Sequence, residues 1–505
     1  MASPAVSAFE QLCGFTRETA VLESVQGVLE WDERTYMPVD AGEYRAEQLA
    51  YLSRLIHERR IDSRLGGWLD ELETGPLAAD PHSDAGTTLR QLRRDFDKRR
   101  RLPVRLVEEL TRACVLGQQV WVKARAANDF AMFAPALSRI IELKREQAMA
   151  LGYVEHPYDA LLDDYEPAAK TADVARVLEG LRRELAPFVA AILDSGKQAP
   201  VELLKRSYPV AAQEAFGKVA AAAIGFEFQR GRLDVTHHPF CTGLGPKDCR
   251  ITTRYDEHYF PQAFFGILHE AGHGIYDQGL RVEQYGLPPG TYVSLGIHES
   301  QSRLWENLVG RSLPFWEHFF PHAQAAFPEA LRGVPLADFH FAINNVRPSL
   351  IRVEADEATY NLHIIVRFEL EQALLTGELS VADLPAAWSG KYRELLGIEP
   401  PNAANGVLQD IHWSAGLIGY FPTYSLGNLY AAQLFDAADR DLGGLAAQFR
   451  RGEFQPLREW LREKVHAPGQ CYPAAELAQR ATGQPLGHAP LMRQLRERLG
   501  ALYGL

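Results

Sequence analysis

Apolar residues recur at spacings of three and four through most of the chain, the period of an amphipathic helix. In 41–60 the stripe is Leu49, Leu52 and Ile56, and in 171–196 it is Val174, Val177, Leu178 and Leu181. Segments 211–225 and 355–377 follow the same rhythm. Breaks rich in Gly, Pro, Ser and Asp fall at 77–86, near Glu166-Pro167 and at 195–200. Strict apolar–polar alternation is rare and concentrates in 226–255. There, Arg232 to Thr236 and Arg250 to Arg254 read as short strands joined through Gly243-Leu244-Gly245-Pro246, with Tyr292 to Ser294 as a candidate third. The pattern predicts a mainly α protein: a large helical body with a deep groove and a small β-sheet. No repeat, low-complexity run or composition shift marks a border, so residues 1–505 read as a single domain, with room for two lobes around the groove.

Composition narrows the function classes. Hydrophobic residues make up 46% and charged residues 23%, as in ordinary soluble globular proteins. A formal net charge of −12 argues against a nucleic-acid partner. The one basic run, Lys98 to Arg101, is interleaved upstream with Asp95 and Asp97 and reads as a solvated helix face. No stretch of eighteen apolar residues occurs, so no membrane span is expected. The segment MASPAVSAFEQLCGFTRETAVLESV lacks the basic and apolar regions of a secretory signal. The five Cys are scattered, odd in number and without a CxxC pair. That fits a reducing cytoplasm rather than a disulfide framework. Cys241 and Cys249 flank the Gly/Pro turn and could meet across a hairpin, but the spacing reads as coincidence.

The segment PQAFFGILHEAGHGIYDQG carries the chemistry. On a helix, His269 and His273 lie four apart on one face and can grip one metal ion, while Glu270 projects beside it. This is the arrangement in which a metal activates water and a carboxylate takes its proton. Pro261 suits the first turn of such a helix and Gly279 its stop. A catalytic metal needs a third protein ligand. Glu299, 26 residues beyond His273 and past the turn at 286–290, is the favoured candidate, with Glu306 and His298 as alternatives. His298, Ser300 and Gln301 beside it are polar in a segment that should pack. Arg352 stands among Leu350, Ile351 and Val353 and must find an anion: Glu354, Asp356 or a substrate carboxylate. Asp410 and His412 are likewise set among apolar residues.

A series of short motifs runs the length of the chain. WDERTYMP (31–38), AEQLA (46–50) and HPYDALLDDYEP (156–167) are followed by His238-Pro239-Phe240 and by Asp248-Cys249-Arg250-Ile251-Thr252. HEAGH, His298-Glu299-Ser300-Gln301, Ile351-Arg352 with Ala355-Asp356, and Gly406, Gln409-Asp410 and His412-Trp413 come next. In this order they resemble the carboxypeptidase Taq family of metallocarboxypeptidases. The resemblance implies Zn²⁺ held by His269, His273 and Glu299, with Co²⁺ a functional substitute, and Glu270 as general base. It implies that Arg352 faces the C-terminal carboxylate of a peptide. His412 and Tyr420 would serve the oxyanion, with Tyr424 a rival to Tyr420. His238 and Arg250 would close the end of the groove. It further implies a homodimer that releases single C-terminal residues from peptides with broad specificity. A metallo-endopeptidase or dipeptidase using the same site is the alternative.

Overall fold

The computed structural model describes residues 7–505. The first six residues of the N-terminal segment lie outside the described residues. From Ala8 to Thr35 that segment is a helix, started by a reciprocal cap between Ser7 and Glu10. The four helical segments appear as Gly42–Arg60, Thr171–Asp194, Val210–Ile224 and Glu357–Thr376. In Thr171–Asp194 the whole predicted stripe is buried. In Gly42–Arg60 only Ile56 is, because this helix flanks a small separate core of Leu12, Phe15, Leu65, Leu69, Leu89 and Phe96. The main core is one large cluster that includes the HEAGH helix and the C-terminal helices. No helix of the described residues is long and apolar enough to cross a membrane.

Two expectations change. The break at 77–86 ends early, since Ser83 accepts from Gly86 N at 3.1 Å and starts a helix at Asp84–Arg101. Half of the basic run at its end is ion-paired, while Arg100 and Arg101 are exposed. Lys98 bonds both Asp163 and Asp164, and Arg99 bonds Asp95.

The sheet has three strands: β1 (Gly231–Val235), β2 (Cys241–Gly245) and β3 (Asp248–Thr253), in the order β1-β3-β2. β1 runs parallel to β3, and β2 runs antiparallel with Gly243 opposite Cys249. The predicted β1 and β3 are present, but the third strand is not Tyr292 to Ser294. It is Cys241–Gly245, within the stretch that the sequence pattern reads as a connector. Gly245 (φ 145°) and Lys247 (φ 69°) fold the chain back tightly enough for CTGLG to pair with β3. Ser294 instead caps the helix Leu295–Arg303, accepting from Ile297 N at 3.1 Å.

Candidate metal centre and substrate cavity

HEAGH lies in the helix Phe260–Gly279, with Pro261 in its first turn. Phe260, Phe264, Ile267, Leu268 and Ile275 bury one side of it. Gly272 permits the decisive crossing. A Cβ there would stand 2.6 Å from the carbonyl oxygen of Gln301 and 2.7 Å from the Cα of Ser302. Without a side chain at 272, the helix Leu295–Arg303 approaches closely enough to deliver Glu299. That helix continues into a π-helical turn, Leu304–Val309, which carries Glu306.

The three predicted ligands converge. Glu299 Oε2 is 3.7 Å from His269 Nε2 and 3.5 Å from His273 Nε2. One donor atom from each residue lies within 4.8 Å of the others. Ligands on one tetrahedral ion at ordinary Zn–N and Zn–O lengths stand roughly 3.4 Å apart, so these residues fit a small divalent cation. The two alternatives for the third ligand serve other roles. Glu306 Oε2 pairs with His269 Nδ1 at 2.9 Å and leaves Nε2 free to ligate. His298 bonds Asp277 Oδ1 at 3.2 Å and stacks on His273, centroids 4.5 Å apart. Arg303 ties the carboxylates together, donating to Glu299 Oε1 (2.7 Å) and Glu306 Oε2 (3.3 Å) while lying over the Tyr360 ring.

Electrostatics suit a cation. Burial alone would raise Glu299, but Arg303 and the two histidines hold it well below the usual carboxylate range. Burial lowers His273 to about 4, leaving it neutral near pH 7. For His269, burial is outweighed by Glu299 and the bond to Glu306, so its pKa rises. A bound dication would displace that proton. Burial pushes Glu270 up to about 7.

A cavity of about 910 Å³ opens onto this centre. His269, Glu270, His273, Glu299, Tyr420 and Tyr424 form part of its wall, and Phe15, Thr16 and Thr19 of the first helix also line it. Arg352 and His412 stand behind that wall. Arg352 sits in a short 3₁₀ turn, and neither Glu354 nor Asp356 is its partner. Asp356 caps the helix Glu357–Thr376. Arg352 instead bonds Asp410 Oδ1 through Nε (3.1 Å) and Nη2 (2.9 Å), and Tyr360 Oη at 2.8 Å. Asp410 is shared with the fully buried Arg367. His412 Nε2 lies 3.4 Å from Tyr424 Oη. Burial lowers His412 to about 4, so it is a neutral imidazole near pH 7.

His238 and Arg250 are placed differently from the sequence expectation. His238 is exposed in the loop between β1 and β2, and Pro239 and Phe240 line the cavity in its place. Arg250 pairs with Asp248 at 3.0 Å and lies 4.2 Å from the Trp31 ring, outside the cavity lining. Arg303, Tyr360 and Arg367 were missed. Only the Glu299–Arg303 spacing of four was a local signal for any of them.

Comparison with known proteins identifies the family. The family model for the carboxypeptidase Taq (M32) metallopeptidases matches residues 11–499. The chain is 48% identical to thermostable carboxypeptidase 1 of Thermus thermophilus over 507 aligned positions, covering 99% of each chain. It is 38% identical to carboxypeptidase 1 of Bacillus subtilis, covering 94% of this chain and 95% of that one. The crystal structure of an M32 carboxypeptidase from Deinococcus radiodurans superposes with a TM-score of 0.96 at 39% identity, covering 99% of this chain and all of that one. The chain therefore belongs to the carboxypeptidase Taq family of metallopeptidases.

Proposed function

We propose that the chain is a metal-dependent carboxypeptidase that releases single residues from the free C-terminus of peptides, with broad specificity. The observation that carries this is the convergence of His269, His273, Glu299 and Glu270 on one wall of a peptide-sized cavity. His269, His273 and Glu299 would hold a divalent cation, which when bound would supply Lewis-acid activation of water and of the scissile carbonyl. The His₂Glu donor set suits Zn²⁺ and also accepts Co²⁺.

Glu270 takes a proton from the attacking water on its carboxylate and passes it to the nitrogen of the leaving amino acid. Its buried setting, with a pKa raised to about 7, suits a group that must both accept and return a proton near neutrality. Neutral His412 and the phenol of Tyr420 donate to the developing oxyanion. Burial raises the Tyr420 pKa and keeps its proton in place. Tyr424 is the rival donor, since it meets both His412 and the cavity. Arg352 is the cation for the substrate carboxylate. Asp410 fixes its orientation through Nε and Nη2 and Tyr360 accepts from Nη1, so a substrate carboxylate would share a guanidinium already held behind the lining. Pro239 and Phe240 bound the groove from the sheet side and limit substrate length, while Arg250 acts from outside the lining by holding Trp31 of the first helix. The family resemblance implies a homodimer, and the five scattered cysteines suit the reducing compartment of a cytoplasmic protein.

The test is a matched pair of peptides, one with a free C-terminus and one amidated, digested with and without chelator and analysed by mass. Stepwise loss of single residues from the free peptide alone, abolished by chelator, is expected. Equal cleavage of both peptides would identify an endopeptidase instead.

A further inference from the structure

A second cluster of metal-ligating side chains lies beside the first. Cys241 on β2 and Cys249 on β3 share one face of the sheet, two residues out of register. Their sulfurs are 3.7 Å apart, far from the 2.0 Å of a disulfide. Two thiolates on one tetrahedral ion at Zn–S lengths of about 2.3 Å would stand roughly 3.8 Å apart. Asp277, one turn beyond His273 on the HEAGH helix, completes the group, with Oδ2 at 4.0 Å from Cys241 Sγ. One donor atom from each of the three lies within 4.8 Å of the others.

Three further features point to a cation. Asp277 has no Lys or Arg ion partner among the described residues, and its one ion-pair contact is His298. Gly243 leaves space for the carboxylate, since a Cβ there would stand 2.9 Å from Asp277 Oδ2. All three side chains line the large cavity, which provides an entry path.

We propose that Cys241, Cys249 and Asp277 form a second site for a thiophilic divalent cation of the zinc type, with its fourth position open to the cavity. Binding releases the two thiol protons to solvent and forms two metal–sulfur bonds, with no change of oxidation state. The ion would pin β2 and β3 to the HEAGH helix. His298, bonded to Asp277 and stacked on His273, would stand between the two centres.

Cobalt reports thiolate ligation directly. The full-length protein is stripped, reduced, reconstituted with Co²⁺ and measured for metal content and near-ultraviolet absorption. Two equivalents and a thiolate-to-cobalt charge-transfer band are expected. Cys249→Ser should drop the content to one equivalent and abolish the band. A His269→Ala/His273→Ala variant should also hold one equivalent, yet keep the band. A native protein that binds one equivalent without the band overturns the proposal, whether or not any variant folds. So does a Cys241–Cys249 disulfide, detected by mass in protein purified without reductant.

Discussion

The two ligand clusters differ in how the chain builds them. His269 and His273 share a helix face, and Glu299 comes from the next long helix, locked by Arg303 and Glu306. Cys241 and Cys249 meet through strand register, and Asp277 reaches them with no arginine or lysine ion partner among the described residues. The first centre is braced from behind by charged side chains, whereas among the described residues the second is braced by His298 on Asp277 and by a thiol contact from Cys249 to Gly274 O. A ligand set with many outer hydrogen bonds is oriented before metal arrives; one with fewer relies more on the metal for its order.

Removing one ligand should separate the centres most strongly. His269→Ala should empty the histidine centre and abolish peptide hydrolysis, while the cobalt–thiolate band persists. Metal content at that centre staying near one equivalent would break the ligand assignment. Removing the bracing should have a smaller effect: Glu306→Gln is expected to weaken metal affinity at the histidine centre by roughly 10- to 100-fold, read by chelator competition. Unchanged affinity would show that the bond to His269 Nδ1 does not orient the ligand.

Glycine substitutions sharpen the contrast in packing. Gly272→Ala forces a methyl against the backbone of Gln301 and Ser302, and should cost about 2–3 kcal/mol in denaturant unfolding. Gly243→Ala meets only the movable carboxylate of Asp277, and should stay within roughly 0.5 kcal/mol. Equal losses would erase the distinction.

Buried carboxylates extend the comparison to pH. Glu299 is held ionised by Arg303, whereas Glu371, behind the His412 loop, meets only neutral donors: Tyr158 Oη, Trp413 Nε1 and Gly419 N. Burial raises Glu371 from 4.5 to about 7. Its folded pKa lies above its unfolded one, so its contribution to stability is greatest below pH 4.5 and declines as pH rises to 7. The full decline is at most about 3 kcal/mol. Glu371→Gln should flatten stability between pH 4.5 and 7 relative to the native chain, and an unaltered profile would remove Glu371 as its source.

What could be read from the sequence follows the same division. HEAGH and its helix were legible because helical spacing is local, and Glu299 was legible as a carboxylate on the next helix. The mainly helical body followed from the period of stripes such as Val174 to Leu181. The third strand was hidden because CTGLG pairs only once the turn at Gly245 to Lys247 folds it back. The partner of Arg352 was hidden because Asp410 lies 58 residues away and reaches it only through the fold. His238 and Arg250 came from resemblance alone, and neither lines the cavity.

The central claim is that a metal-loaded histidine centre acts through Glu270. Glu270→Gln, nearly isosteric and lacking only the basic carboxylate, tests it with two numbers from one preparation: metal content and turnover of a free-C-terminus peptide. One equivalent retained at the histidine centre with turnover lowered by about 10²- to 10⁴-fold is the predicted result. Full metal content with undiminished turnover would contradict it.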